Sequence, residues 1–224
     1  NLWHRAAVAN KELIDNCVAA NMSLINDYSA LWSATSHRTA LSELIFGRRA
    51  TRTTNSFEGY NFPVGLENCN GGNCPTQNLV DAFEMKNGKH IDEEGSGYDE
   101  QNPYKDRDPR LDQIVFHQNS VWGVASDGEQ RNIDISSNTG EAGIDYSSAM
   151  GGTYTGYYLK KFVNNISCKN PTNFLHAWPI FRYTEILLNA AEALNEAQGP
   201  NAAYTYINQI RKRAGMPDYS GMNQ

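Results

Sequence analysis

The sequence predicts a mainly α protein: tetratricopeptide-like helical hairpins carry a long, loop-rich insertion with a few short β-strands. Three observations lead there. Apolar residues near both ends recur at three- and four-residue steps, the period of a helix with one buried face. Near the C-terminus two such stripes follow one another from Tyr183 to Pro217, about 35 residues, close to the ~34-residue tetratricopeptide unit. Between the helical regions lie about 130 residues rich in Gly, Asn, Asp, Ser and Tyr with few periodic runs. A stretch that irregular fits long loops packed over a scaffold, where binding chemistry tends to sit.

Residues 1–46 are predicted as a first tetratricopeptide-like helical pair. Trp3, Ala6, Ala7, Asn10, Leu13, Ile14, Cys17 and Val18 place a helix over residues 3–20, and Asn21 stops it. Asp27 stands where an N-cap would, ahead of Tyr28, Leu31 and Trp32. Trp3 and Trp32 are expected in the core, and Cys17 as a small buried apolar residue. Leu41, Leu44 and Ile45 put a second helix over His37–Phe46, closed by Gly47. Residues 47–178 are the predicted ligand-binding insertion. Ile114–Phe116, Val121–Val124 and Tyr157–Phe162 are strand-like, and Leu79–Met85 reads as a strand or a helical turn. Residues 179–217 are the second helical pair, opened by Pro179. Tyr183, Ile186, Leu187, Ala190, Ala191 and Leu194 stripe its first helix; Gly199-Pro200 breaks the chain; Ala203, Tyr206, Ile207 and Ile210 stripe its second. Alanines at 190, 191, 193, 202 and 203 allow the two helices to approach closely. A lone pair cannot bury its apolar face, so neighbouring repeats are expected. Residues 218–224 read as a truncated polar tail, and both ends as those of a fragment.

Composition removes several classes. Asp and Glu outnumber Lys and Arg 25 to 19, a net charge of −6, and no basic stripe offers a nucleic-acid footprint. No run approaches the ~18 apolar residues of a membrane span. Twelve Tyr and four Trp argue against low-complexity disorder. Cys69 and Cys74 bracket Asn70-Gly71-Gly72-Asn73, a stretch that can reverse tightly. A local disulfide fits there, as do free or otherwise paired thiols. Zinc fits less well, because the spacing is not Cys-x-x-Cys and no His pair follows.

Four phrases stand in a specific order: Ser42-Glu43-Leu44-Ile45-Phe46; Pro75 to Gly88, with Gln77-Asn78-Leu79-Val80-Asp81 and Phe83-Glu84-Met85; Tyr104-Lys105-Asp106-Arg107-Asp108-Pro109-Arg110-Leu111; and Phe181-Arg182-Tyr183-Thr184-Glu185-Ile186-Leu187-Leu188-Asn189-Ala190-Ala191-Glu192-Ala193-Leu194 running into Tyr206-Ile207-Asn208-Gln209-Ile210-Arg211-Lys212-Arg213-Ala214-Gly215. Their order and spacing across residues 42–217 resemble the SusD/RagB family of Bacteroidetes outer-membrane lipoproteins. The lipidated N-terminal Cys, the earlier helices and the C-terminal segment of that family have no counterpart here. The resemblance implies a cell-surface protein held to the outer membrane only by a lipid anchor. It would bind an oligosaccharide, or a peptide in RagB-like members, and hand it to a SusC-like TonB-dependent transporter. It implies no catalysis and no cofactor. A tetratricopeptide-type adaptor without a small ligand is a further reading.

Local clusters add little chemistry. Asp108 before Pro109 suits a turn, with Arg107 and Arg110 as ion-pair partners. Asp92-Glu93-Glu94-Gly95-Ser96-Gly97-Tyr98-Asp99 lacks the order of an EF-hand and reads as a solvated loop. The five His show no His-Glu-x-x-His spacing, and no Gly-x-Ser-x-Gly elbow or Walker loop occurs. His176 beside Trp178 is expected to be packed. Glu185 and Glu192 are expected to pair with Arg182, Arg211 and Arg213 across the last two helices. Sugar rings have apolar faces and polar edges, so Trp or Tyr platforms flanked by Asn, Asp or Arg are the candidates. Residues 52–62 have that mixture, and the candidate ligand-binding set is Arg52, Asn55, Phe57, Tyr60, Asn61, Phe62, Tyr98 and Trp122. Tyr104, Tyr154, Tyr157 and Tyr158 complete the aromatic pool.

Overall fold

Helix α1 (Leu2–Ala19) starts at Asn1, whose side chain accepts from the Trp3 amide. It turns Ala7, Ile14 and Cys17 inward. The computed structural model describes residues 1–32, 41–49, 56–123, 130–137, 142–148, 151–163 and 176–222. Trp3, expected in the core, is 42% exposed on the outer face of α1 together with Leu13 and Val18. The apolar stripe there is wider than the neighbour it meets. Asp27 caps a single 3-10 turn, Tyr28–Leu31, by accepting from the Ser29 amide at 2.9 Å. Leu31 and Trp32 are buried behind it.

The second predicted helix, His37–Phe46, is corrected where the structure describes it. Residues 33–40 lie outside the described residues, and Leu44–Arg49 form strand β1. The short α2 (Ser56–Asn61), α3 (Gln77–Asp81) and α4 (Arg110–Ile114) follow. Within Leu79–Met85, Leu79–Asp81 end a helical turn capped by Thr76, whereas Met85 forms an isolated antiparallel bridge with Arg107. Two-residue strands come next: β2 (Val115–Phe116), β3 (Val121–Trp122), β4 (Arg131–Asn132), β5 (Ser147–Ser148), β6 (Gly151–Gly152) and β7 (Tyr158–Leu159). Strand β8 (Ala177–Arg182) occupies the place where Pro179 was expected to open a helix. It pairs antiparallel with β1, which explains both corrections: each apolar run satisfies its backbone through the other. The other ladders are β2–β7, β3–β4 and β5–β6.

Helices α5 (Tyr183–Gln198) and α6 (Pro200–Arg213) form the predicted hairpin. Gly199, at φ +90°, makes the break, and Pro200 starts α6 where its missing N–H costs nothing. Ala190, Ala191, Ala193 and Ala203 are buried at the contact. α5 also packs on α1, with Ile14 and Cys17 against Tyr183, Ile186, Leu187 and Ala190. The chain is thus mainly α with a few short strands.

The arginines of the hairpin do not pair with Glu185 and Glu192, which are both exposed. They reach acids outside the hairpin instead, Glu43 and Glu84. Glu43 is fully buried and accepts from Arg182 Nη1 at 2.9 Å, Arg213 Nη1 at 2.6 Å, the Ile25 amide at 3.0 Å and the Thr184 hydroxyl. Glu84 receives both terminal nitrogens of Arg211, at 3.2 and 2.7 Å. Arg107 donates to the carbonyls of Pro103, Val80 and Phe83 rather than to an acid, and the Asp108 carboxylate accepts from Arg110. That pair is structural, as its sequence context suggests.

Asp112 accepts from the buried His117 ring at 2.7 Å, and this bond holds its carboxyl below the usual carboxylate range. The folded state then binds fewer protons than the unfolded one in that range. The stabilisation is present above the ordinary value of about 4 and is lost as pH falls through the lower folded value. We expect Asp112→Asn to lower the urea midpoint at neutral pH. The gap to the parent should narrow as pH falls below the ordinary aspartate range and through the lower folded value. A gap that persists unchanged in acid would contradict this role.

Candidate functional site

Tyr60 stands at the end of α2 on a seat made by the following loop. The loop returns to α2 through three backbone bonds: Asn70 N to Gly59 O at 3.0 Å, Gly71 N to Phe62 O at 2.9 Å and Gly72 N to Tyr60 O at 2.6 Å. These bring Gly72 beneath the Tyr60 ring, so closely that a Cβ at position 72 would fall against the ring carbons. Gly71, at φ +58°, lies in the same way on the ring of buried Tyr158. The Tyr60 ring is held from behind yet 52% exposed. Asn70 and Asn73 are exposed on the loop that carries it. The Asn73 side-chain amide donates to Asn61 Oδ1 at 2.5 Å, and Asn61 donates to Phe57 O at 2.8 Å.

A second exposed ring borders the same loop. Tyr154 is 95% exposed in the turn 153–157. Thr153 Oγ1 closes that turn by donating to Tyr157 O at 2.6 Å. Thr155 Oγ1 ties it to Pro75 O at 2.6 Å, and Leu159 N donates to Asn73 O at 3.2 Å. Two solvent-facing phenols therefore border the loop of residues 70–75, which also carries the exposed Asn70 and Asn73. A pre-positioned aromatic face with polar neighbours can take the apolar face of a sugar ring and bond its rim hydroxyls.

The other expected site residues divide differently. Phe62 and Trp122 have no exposed surface and pack with Cys69, Phe116, Ile133, Tyr158 and Val163 in the largest-ringed core cluster. Asn61 is buried as well. These three are corrected from ligand-binding to interior positions. Trp122 is the inward residue of β3, and Asn61 and Phe62 lie at the end of α2 where the following loop returns; nothing within residues 52–62 alone distinguishes the covered positions. Phe57 is half-buried between His176 and Trp178, with ring centroids 4.9 and 5.1 Å away. His176 is packed as expected, bonded to buried Glu58 at 2.6 Å. Tyr98 is half-buried under the Arg107 guanidinium, 5.5 Å from its ring centre. Arg52 and Asn55 lie outside the described residues, as does Cys168.

Cys69 and Cys74 are free thiols rather than a disulfide. Cys69 points into the aromatic core, where burial pushes its thiol up to about 11. Cys74 donates to Gly71 O at 3.2 Å. The Gly71-Gly72 pair instead lets two tyrosine rings approach the backbone closely. Gly72, Asn70 and Asn73 were absent from the expected set. Their signal was the double glycine within ten or so residues of an aromatic helix end. Among the described residues no group of three or more His, Cys, Asp or Glu is arranged to hold a metal, and no helix is long and apolar enough to cross a membrane.

The family model for the SusD family matches residues 42–224, and the chain belongs to that family. No curated protein matches the sequence. Among solved structures, a SusD-like protein of Bacteroides fragilis NCTC 9343 matches 96% of this chain at 25% identity and a TM-score of 0.71. A SusD-like carbohydrate-binding protein of the same organism matches 99% at 21% identity and a TM-score of 0.74. Surface glycan-binding protein A of Bacteroides uniformis matches 99% at 20% identity and a TM-score of 0.57. The chain spans less than half of each of these, 45%, 43% and 40% respectively.

Proposed function

We propose that this chain is part of a non-enzymatic protein that binds an oligosaccharide at the bacterial cell surface. Lipid-anchored at the outer membrane, the whole protein delivers that ligand to a SusC-like TonB-dependent transporter. The observation that carries the reading is the Tyr60 ring, seated on Gly72 and facing solvent beside Asn70 and Asn73. Membership of the SusD family, and solved relatives described as carbohydrate-binding, support the same ligand class. Support for binding without catalysis comes from the buried carboxylates. Glu43, Glu58 and Asp145 are each fully buried and held by an Arg or His, so none of the three is placed to flank a scissile bond.

Titration calorimetry against a panel of oligosaccharides tests this. At least one should bind, and Tyr60→Ala should weaken it by up to about tenfold, the order of a lost stacking contact. Gly72→Ala, which displaces the ring, should weaken it too. Binding of peptides and of no sugar would replace the ligand class with that of RagB-like members. Binding that is indifferent to both substitutions would remove Tyr60 from the site.

A further inference from the structure

Tyr154 is 95% exposed, yet the turn that carries it is held by a set of hydrogen bonds. Thr153 Oγ1 donates to Tyr157 O at 2.6 Å and accepts from the amides of Tyr157 and Thr155, at 2.9 and 3.3 Å. Thr155 Oγ1 donates to Pro75 O at 2.6 Å, and the Tyr157 hydroxyl donates to Gln77 Oε1 at 2.8 Å. Gly156, at φ +80°, permits the reversal. Tyr157 and Tyr158 are buried, so of the three tyrosines only Tyr154 is turned outward. Its own side chain makes none of these bonds. Ordering a loop tip costs conformational entropy, and here the turn is already ordered in the free protein. A tyrosine ring with two side-chain torsions, presented in this way, binds with little further ordering.

Both anchors of this turn lie on the stretch that seats Tyr60. Gly72 lies beneath the Tyr60 ring, and Pro75, which holds Thr155, follows three residues later, so their Cα atoms are at most about 11 Å apart. Gln77 adds a polar edge: its Oε1 accepts from Tyr157, and its Nε2 donates to Asp81 Oδ1 at 2.7 Å. The second amide hydrogen of Gln77 and the Oδ2 atom of Asp81 take no partner among the described residues. From Tyr60 to Met85 the chain holds three acids, Glu67, Asp81 and Glu84, and no Lys, Arg or His; residues 151–158 are uncharged.

We propose that Tyr154 is a second stacking platform for the ligand of Tyr60, and that this ligand is an extended, uncharged oligosaccharide rather than a short or acidic one. The inference rests on the reading of Tyr60 as a sugar platform. Two preset rings on anchors this close engage one sugar chain at two points. The second contact is intramolecular once the first is made, so affinity grows with chain length until both rings are covered. Gln77 and Asp81 offer a donor and an acceptor to sugar hydroxyls next to the turn. The carboxylate of an acidic sugar would meet the Asp81 carboxylate and find no cation in the segments that build the site.

Titration calorimetry with malto-, xylo-, manno- and cello-oligosaccharides, each from disaccharide to octasaccharide, and with oligogalacturonides of the same lengths tests this. In the neutral series that binds, affinity should rise with length. Tyr154→Ala should lower the affinity of the long members about three- to tenfold, the order of one stacked ring, and leave the short members unchanged. Tyr154→Phe, which keeps the apolar face, should retain most of the gain with length. Tyr60→Ala should weaken long and short members alike. Tyr60-dependent binding that ignores both chain length and Tyr154→Ala would overturn this inference and leave the Tyr60 reading standing. Equal losses in Tyr154→Ala and Tyr154→Phe, or tighter binding of oligogalacturonides than of every neutral series, would do the same. Absence of binding by any sugar would overturn both.

Discussion

Replacing Glu43 by Ala should lower the unfolding free energy by about 3–5 kcal/mol, the cost of removing one member of a buried ion pair. No other acid in the described structure ties together so much sequence. Its carboxylate joins the 41–43 segment to Arg182 at the head of α5, to Arg213 at the foot of α6 and to the Ile25 amide. The backbone repeats the link, since Tyr183 N donates to Glu43 O at 2.9 Å. Deletion leaves Arg213, 6% exposed, with an uncompensated charge. Arg182 can turn toward water, so its share of the loss is the smaller. Against a typical domain stability of about 5–15 kcal/mol, this places the variant near the edge of folding. Glu185→Ala is the control. Sequence spacing nominates Glu185 as the arginine partner, yet it is exposed on α5 and its removal should cost within about 0.5 kcal/mol. Urea unfolding of the two variants decides between them. Equal effects would contradict the network.

The second large effect separates the core from the platform. Trp122→Ala should destabilise by about 3–5 kcal/mol, as for other fully buried aromatics. Trp122 has no exposed surface and contacts Phe62 and Phe116, at centroid distances of 5.0 and 5.8 Å, with the Arg131 guanidinium 4.9 Å from its ring. Tyr60→Ala should change stability by no more than about 0.5 kcal/mol, because half of its ring already faces water. Both residues look like sugar platforms in the sequence. Chemical denaturation assigns them opposite roles: a stability loss for Trp122, an affinity loss for Tyr60.

The contrast shows what was legible. The α5–α6 hairpin could be read because its stripe runs unbroken between punctuating residues, Gly199-Pro200 and Gly215, and its contacts are local. Strands β1 and β8 could not, because each is a short apolar run whose partner lies about 130 residues away. Leu44 and Ile45 fit a helical face equally well until Ala177–Arg182 are placed beside them. The partners of Arg182 and Arg213 were hidden for the same reason. A hairpin suggests pairing within itself, and the acid that wins is brought in from residue 43. Aromatic exposure was the least legible property. Phe62 and Tyr60 stand two residues apart on one helix end, and only the returning 69–75 loop determines which is covered.

A crystal structure of the protein with the tightest-binding oligosaccharide of the panel tests the central claim most directly. A sugar ring should stack on the outer face of Tyr60, with its hydroxyls reaching Asn70 or Asn73. A sugar bound elsewhere on the molecule, with the Tyr60 face bare, would contradict it.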